Sequence, residues 1–216
     1  MTFPEKDEEG ESGTDHYSSA DVARNYERTW DKNVLNSKAS ERFSKFTGYT
    51  KAHGHVLDSG CGTGRFCQYF INRGYTVTGI DSSEEMLKIA AKKNPQCTFL
   101  KMDVRHLDFP DQTFDGIWNV AVLSHINHKD LSRVLSESRR IMKKDAVIFL
   151  ATRIGEMDLI RDEESTEGGK FTVNYYTSLT LFKELGRAGF AITDYSIEPD
   201  DSGRPFNYGY IYAKAL

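Results

Sequence analysis

The chain has 216 residues, 38% hydrophobic and 28% charged, with a formal net charge of −4. That length suits one domain with a substantial core, and the acidic balance argues against a nucleic-acid partner, which usually needs a basic surface. Three cysteines, Cys61, Cys67 and Cys97, form no C-x-x-C pair, which argues against a disulfide framework or a zinc site and suits a reducing, cytoplasmic setting.

No apolar run approaches the roughly 18 residues of a spanning helix, so no membrane partner is expected. The acidic N-terminus does not read as a signal peptide. Residues 1–19 read as a disordered tail, because Glu5-Lys6-Asp7-Glu8-Glu9-Gly10-Glu11-Ser12-Gly13 is acidic and has little to bury. Ser19-Ala20-Asp21 starts a helix through Tyr26 and Trp30. A second helix spans Ser37 to Phe46, with Phe43 and Phe46 on one face. Most of these aromatics are expected to pack on the body of the fold.

Next comes the stretch Val56-Leu57-Asp58-Ser59-Gly60-Cys61-Gly62-Thr63-Gly64-Arg65-Phe66. It carries a short apolar strand, an acid, three glycines at alternate positions, and then an amphipathic helical pattern through Ile71. Strand, glycine turn and helix in that order suggest a nucleotide-type site. Glycine lets backbone approach a ligand closely, and a helix N-terminus offers free N–H groups. The spacing G-x-G-x-G is not the dinucleotide G-x-G-x-x-G, and the Gly-Lys-Ser/Thr of a phosphate loop is absent. Asp58 would repel a pyrophosphate and suit a ligand carrying a cationic amine.

This stretch resembles motif I of the class I S-adenosylmethionine-dependent methyltransferases, an apolar strand followed by Asp-x-Gly-x-Gly-x-Gly. The resemblance covers about residues 20–216 and implies an α/β, doubly wound Rossmann-like fold. The family sheet has seven strands in the order 3-2-1-4-5-7-6, the last antiparallel, with helices on both faces. The implied organisation is one methyltransferase domain over residues 20–216, with 20–50 as a helical lid over the cofactor. The implied cofactor is S-adenosyl-L-methionine, with S-adenosyl-L-homocysteine as product. Asp58, Gly60, Cys61, Gly62 and Gly64 are then cofactor-site residues.

Gly74 stops the next helix, and a second strand over Tyr75–Ile80 ends in Asp81. A carboxylate there can accept hydrogen bonds from ribose hydroxyls. It can equally cap the helix that begins at Ser82-Ser83-Glu84-Glu85. Ser82 and Met86 flank it, Met86 as core or pocket wall. A third strand, Cys97–Met102, ends at Asp103-Val104. The resemblance gives Asp103 the adenine amino group and places Val104 beside the ring.

The fourth strand is Phe114–Asn119. Residues beyond it are placed for chemistry, because ligands of open α/β sheets sit past the strands' carboxyl ends. Asn119 is a cofactor-side candidate. Amino-methylating nucleic-acid enzymes of the family carry Asn/Asp-Pro-Pro-Tyr/Phe here. This chain reads Asn119-Val120-Ala121-Val122, and no Pro-Cys nucleophile is present. The segment Leu123-Ser124-His125-Ile126 is similar to the small-molecule, quinone-biosynthesis type. His125 is the candidate general base, or else a helix cap or a pocket wall. His128 has no third ligand partner for a metal site.

A helix over Leu131–Ile141 ends at Met142-Lys143-Lys144-Asp145. A continuous apolar strand, Ala146–Thr152, leads into Arg153. Residues 154–176 lose apolar periodicity and bend at Gly168-Gly169. They read either as a solvated loop or as a substrate roof. Arg153, Tyr175, Tyr176 and Arg204 are substrate-side candidates. A last helix from Thr177-Ser178 and two closing strands, Ala191–Ile197 and Tyr208–Ala213, complete the pattern.

The reading is a methyltransferase acting on a small-molecule acceptor by in-line transfer, as a monomer or homodimer and without a metal. The alternatives are an RNA- or protein-directed methyltransferase and a non-catalytic S-adenosylmethionine-binding module. A nicotinamide oxidoreductase fits the glycine spacing worst.

Overall fold

Neighbouring residues along the central strands point to opposite faces of a sheet. Val56 and Leu57, Ile117 and Trp118, and Ile148 and Phe149 are buried pair by pair. The centre of the sheet is therefore buried on both faces, and this is why its central strands read as apolar runs. The computed structural model describes residues 15–30, 37–164, 170–200, 203–204 and 206–216.

The sheet strands are β1 (His55–Ser59), β2 (Thr76–Asp81), β3 (Thr98–Lys101), β4 (Phe114–Val120) and β5 (Met142–Ile154). A separate pair, β6 (Leu159–Glu164) and β7 (Lys170–Tyr175), precedes β8 (Phe190–Pro199) and β9 (Asn207–Ala215). The seven-stranded sheet runs β3-β2-β1-β4-β5-β9-β8. With the β6–β7 pair set aside, this is the expected order 3-2-1-4-5-7-6. β1 to β5 are parallel, and β9 is antiparallel to both neighbours. The order reverses between β1 and β4, which opens a crevice at their carboxyl ends.

Helices α1 (Ala20–Trp30), α2 (Ser37–Tyr49), α3 (Cys67–Ile71), α4 (Glu84–Lys93), α5 (Leu131–Ile141) and α6 (Ser178–Arg187) surround the sheet. One core joins Leu57, Ile117 and Ile148 to Leu135 of α5 and Leu181 of α6. The other joins Val56, Trp118 and Phe149 to Phe43 and Phe46 of α2 and Phe70 of α3. α4 begins where the Ser83 hydroxyl accepts the Met86 N–H, and α6 where Thr177 accepts the Thr180 N–H. No helix of the described residues is long and apolar enough to cross a membrane.

Four expectations change. Asp15–Ser18, expected in the tail, form a 3₁₀ turn held by the Ser83 hydroxyl on the Tyr17 carbonyl at 2.6 Å. The helix expected from Arg65 starts only at Cys67, because the glycine turn runs on to Phe66. β5 begins at Met142, four residues early. Met142 pairs with Phe114, and a register shift separates that pair from Gly116 and Val147. Residues 159–164 and 170–175 pair as antiparallel strands, with Glu163 opposite Phe171. The connecting residues, including Gly168-Gly169, lie outside the described residues.

Candidate active site

The glycine loop needs its glycines for two different approaches. Gly60 has φ +71, and a Cβ there would stand 2.1 Å from the Val122 side chain. The chain beyond β4 therefore lies directly on the loop. Gly64 also has φ +71, and a Cβ there would meet the Asn94 amide at 2.8 Å and Ala90 at 3.0 Å. This glycine lets α4 pack against the loop, and the Asn94 amide donates to the Gly64 carbonyl at 3.1 Å.

Asp81 ties the loop to β2. One carboxylate oxygen accepts the Gly62 N–H and the other the Ser83 N–H, both at 2.9 Å. Burial raises its pKa, against the backbone N–H groups of Ser83, Gly62 and Ser82. Asp103 is held in the fork of Arg105, whose Nη2 donates at 2.6 Å and whose Nε reaches both oxygens at 3.0 Å. Burial pushes the Asp103 carboxyl up, but the Arg105 bonds outweigh it and hold the group below its ordinary value.

Gly60, Gly62, Asp81, Ser82, Met86, Asp103 and Val104 share the wall of one cavity of about 700 Å³. The same cavity continues past Ala121, which has φ +65, to His125, Arg153, Glu163 and Arg204. A non-glycine residue in the left-handed region marks a backbone held by its surroundings. Here the Ala121 N–H donates to the Ala151 carbonyl at 2.7 Å.

His125 closes the far wall. Its ring packs edge-on to Tyr17 at 5.4 Å and lies 5.5 Å from Phe171. Burial, then the charges of Arg153 and His16, push its pKa down to about 4, against a hydrogen bond to the Thr172 backbone. Nδ1 is buried without a hydrogen-bond partner. With its pKa pushed down to about 4, the imidazole is neutral at pH 7.

Arg153 is 5% exposed, and its Nη1 bonds Glu163 and the Tyr175 hydroxyl. The Tyr175 hydroxyl in turn donates to Glu163 at 2.5 Å. The roof hairpin is thus fastened to the end of β5 through an ion pair and a phenol.

Six sequence candidates do not reach the cavity wall. Asp58 is 2% exposed beneath the loop, where burial raises its pKa to about 7 against the pull of Arg65 and the Cys67 thiol. Cys61 and Gly64 serve loop packing. Asn119 bonds Ser59 at 3.3 Å, with its amide oxygen buried and unpartnered. Tyr175 acts through Glu163 and Arg153. Tyr176 is fully buried, with its hydroxyl on the Ile126 carbonyl at 2.5 Å, and belongs to the core.

The structure adds wall residues that sequence reasoning missed, among them Tyr17, Tyr26, Arg42, Arg65 and Glu163, and brings Phe171, expected in the roof, to the same wall. Tyr26 is expected among the packing aromatics, but its helix carries it to the cavity. Arg42 is held over the Tyr210 ring at 3.5 Å and pairs with Glu198 at 2.9 Å. Among the described residues no group of three or more His, Cys, Asp and Glu side chains is placed to hold a metal ion.

A glycine loop at a sheet's switch point, with acids ending the next two strands, defines a Rossmann-like nucleoside-cofactor domain. Residues 56–145 match the family model described as a methyltransferase domain. The malonyl-[acyl-carrier protein] O-methyltransferase of Hamiltonella defensa subsp. Acyrthosiphon pisum is 36% identical over 118 residues, 55% of this chain and 45% of that protein. A S-adenosylmethionine-dependent methyltransferase of Methanosarcina mazei shares the fold with a TM-score of 0.72 at 22% identity, covering 80% of this chain and 97% of that one. The 1,6-didemethyltoxoflavin-N1-methyltransferase of Burkholderia thailandensis, solved with S-adenosylhomocysteine, gives 0.68 at 18% identity, covering 100% and 93%. The chain spans about half the length of the curated relatives it matches. Residues 56–145 thus carry a methyltransferase domain, and the chain is similar to S-adenosylmethionine-dependent methyltransferases.

Proposed function

We propose that the protein transfers the methyl group of S-adenosyl-L-methionine to a small molecule. The observation that carries this reading is the single cavity running from the glycine loop, Asp81 and Asp103 to His125 and Arg153. Its volume of about 700 Å³ falls in the usual range for small-molecule sites, roughly 300–1,000 Å³. The donor set fits a nucleoside cofactor. Asp81 keeps lone pairs beyond its two backbone bonds for ribose hydroxyls. Asp103 and Val104 on the same wall are the residues to which the resemblance gives the adenine edge, and Gly60 and Gly62 offer backbone without side chains.

S-adenosyl-L-methionine supplies an electrophilic methyl group on a sulfonium. The chain supplies position. Holding an acceptor at attack distance gives effective molarities of roughly 10⁵–10⁸ M. Phe171, Tyr17 and Tyr26 exclude water from the wall. His125, neutral at pH 7, is the side chain suited to take a proton from an acceptor hydroxyl or amine. Nδ1 is covered in this arrangement, so proton transfer requires a shift of the Tyr17 segment or the hairpin. Burial, and then the Arg153 charge, keep the imidazole from charging before the acceptor arrives.

Methyl-labelled S-adenosylmethionine incubated with the protein and a fractionated cell extract tests this reading. Label in the small-molecule fraction is expected. Label confined to RNA or protein would replace it with the macromolecular reading. Transfer to none of the three would contradict methyl transfer.

A further inference from the structure

The chain around Cys67 lies against the chain around Cys97. The Asn94 amide donates to the Gly64 carbonyl at 3.1 Å, and the Gln96 amide donates to the Gln68 side-chain oxygen at 3.1 Å. Within this crossing the Cys67 and Cys97 thiols are hydrogen-bonded to each other. Both cysteines are free.

The two thiols are not equivalent. Cys67, at the start of α3, is fully buried, and its second contact is the Asp58 carboxylate at 3.8 Å. Cys97, in the turn before β3, is half-buried. The bond from Cys67 favours a thiolate on Cys97 and pulls its pKa down against burial, while the same bond and burial push Cys67 up. The third thiol, Cys61, is 5% exposed and reaches the Gly62 carbonyl at 3.7 Å. A reachable sulfur with thiolate character, in contact with a second, buried sulfur, matches an oxidisable cysteine with its resolving partner.

We infer that Cys67 and Cys97 form a reversible disulfide when the protein meets a hydroperoxide, with Cys97 attacked first. The Cys97 thiolate attacks one peroxide oxygen, the O–O bond breaks, and the departing hydroxide takes up a proton as water. Cys97 is then a sulfenic acid. The Cys67 sulfur attacks the Cys97 sulfur, the S–O bond breaks, and hydroxide leaves with the Cys67 proton as a second water. The two thiols together lose two electrons and two protons, and the peroxide is reduced. A dithiol reductant reverses the bond by exchange. Neither cysteine lines the cavity, so this chemistry is separate from methyl transfer. It also agrees with a reducing setting, where disulfides are mostly transient and redox-sensing.

Peptide mapping tests the inference. Trypsin places each cysteine in its own peptide: Cys61 in 52–65, Cys67 in 66–73 and Cys97 in 94–101. The reduced, folded protein is treated with hydrogen peroxide, blocked with N-ethylmaleimide and digested. The expected product is peptide 66–73 joined to 94–101, lighter by two hydrogens than the two together and lost on treatment with dithiothreitol. Peptide 52–65 should keep a blockable thiol. Cys67→Ser should leave Cys97 as a sulfenic acid that dimedone traps, and Cys97→Ser should leave Cys67 unmodified at the same peroxide dose. The wild-type map decides the question even if a variant fails to fold. Absence of the 66–73 to 94–101 link from the folded wild type overturns the inference, whether Cys97 stays a thiol or proceeds to the sulfinic acid. A predominant link to Cys61, or one that joins two chains on a non-reducing gel, overturns it equally.

Discussion

Asp81 is the residue on which the loop and the second strand converge, because its two oxygens take the N–H groups of Gly62 and Ser83. Asp81→Ala leaves both donors unmade and removes the acceptor for a ribose. Cofactor affinity should fall by about 1–3 kcal/mol, roughly 5- to 150-fold. Calorimetry with S-adenosylhomocysteine checks this, and wild-type affinity in the variant would remove Asp81 from the binding site. Asp58 carries a pH signature. Its carboxyl holds a proton to about pH 7 in the fold, against an ordinary value of 3.8. Between those values the folded chain keeps a proton that the unfolded chain has released, so stability falls as pH rises through this window. Asp58→Asn cannot ionise. Its stability relative to wild type should rise from pH 4 to pH 7 by up to about 4 kcal/mol and then level. Urea unfolding across that range measures it, and a pH-independent difference would contradict the assignment. His125 behaves in the opposite sense, with a pKa lowered to about 4. Removing the nearby charge with Arg153→Gln should move the imidazole titration upward, read by NMR of the ring protons. A downward or absent shift would show that Arg153 does not act on His125.

Two elements complete the wall, and they differ in how far the sequence exposes them. Asp81 was legible because it ends an apolar strand at the spacing of a βαβ nucleotide site, and Asp103 because the family resemblance assigns a role to an acid just past the third strand. The hairpin was not legible. Most of β6 faces outward and carries Arg161, Asp162 and Glu164, so no alternation marks it as a strand. It is held instead by distant partners, the Asn174 amide on the Ser124 carbonyl at 3.4 Å and the Tyr176 bridge to Ile154. Tyr176 therefore reads as a roof residue in the sequence when it is a core anchor. Tyr17, Arg42 and Arg65 were missed for a related reason: which wall they face depends on how their segments pack, not on local spacing. The 3₁₀ turn at Asp15–Ser18 gives a direct handle on that packing. Ser83 both caps α4 and holds the Tyr17 carbonyl. Ser83→Ala should cost about 1 kcal/mol of stability for the cap and speed amide exchange over residues 15–30. Unchanged exchange there would mean the turn is held by its aromatic contacts alone.

At the scale of the whole molecule, the sheet reverses order between β1 and β4 and so places the glycine loop, the two strand-end acids and the His125–Arg153 wall around one cavity. The chemistry the family performs needs little from the protein beyond that gathering, since alignment of donor and acceptor lowers the barrier by itself. The glycine spacing argues for a sulfonium nucleoside over a dinucleotide. Competitive titration with S-adenosylmethionine and NAD tests this most directly. Saturable binding of S-adenosylmethionine that NAD does not displace is the expected result. Binding of NAD in its place, or of neither, would contradict a sulfonium-nucleoside site.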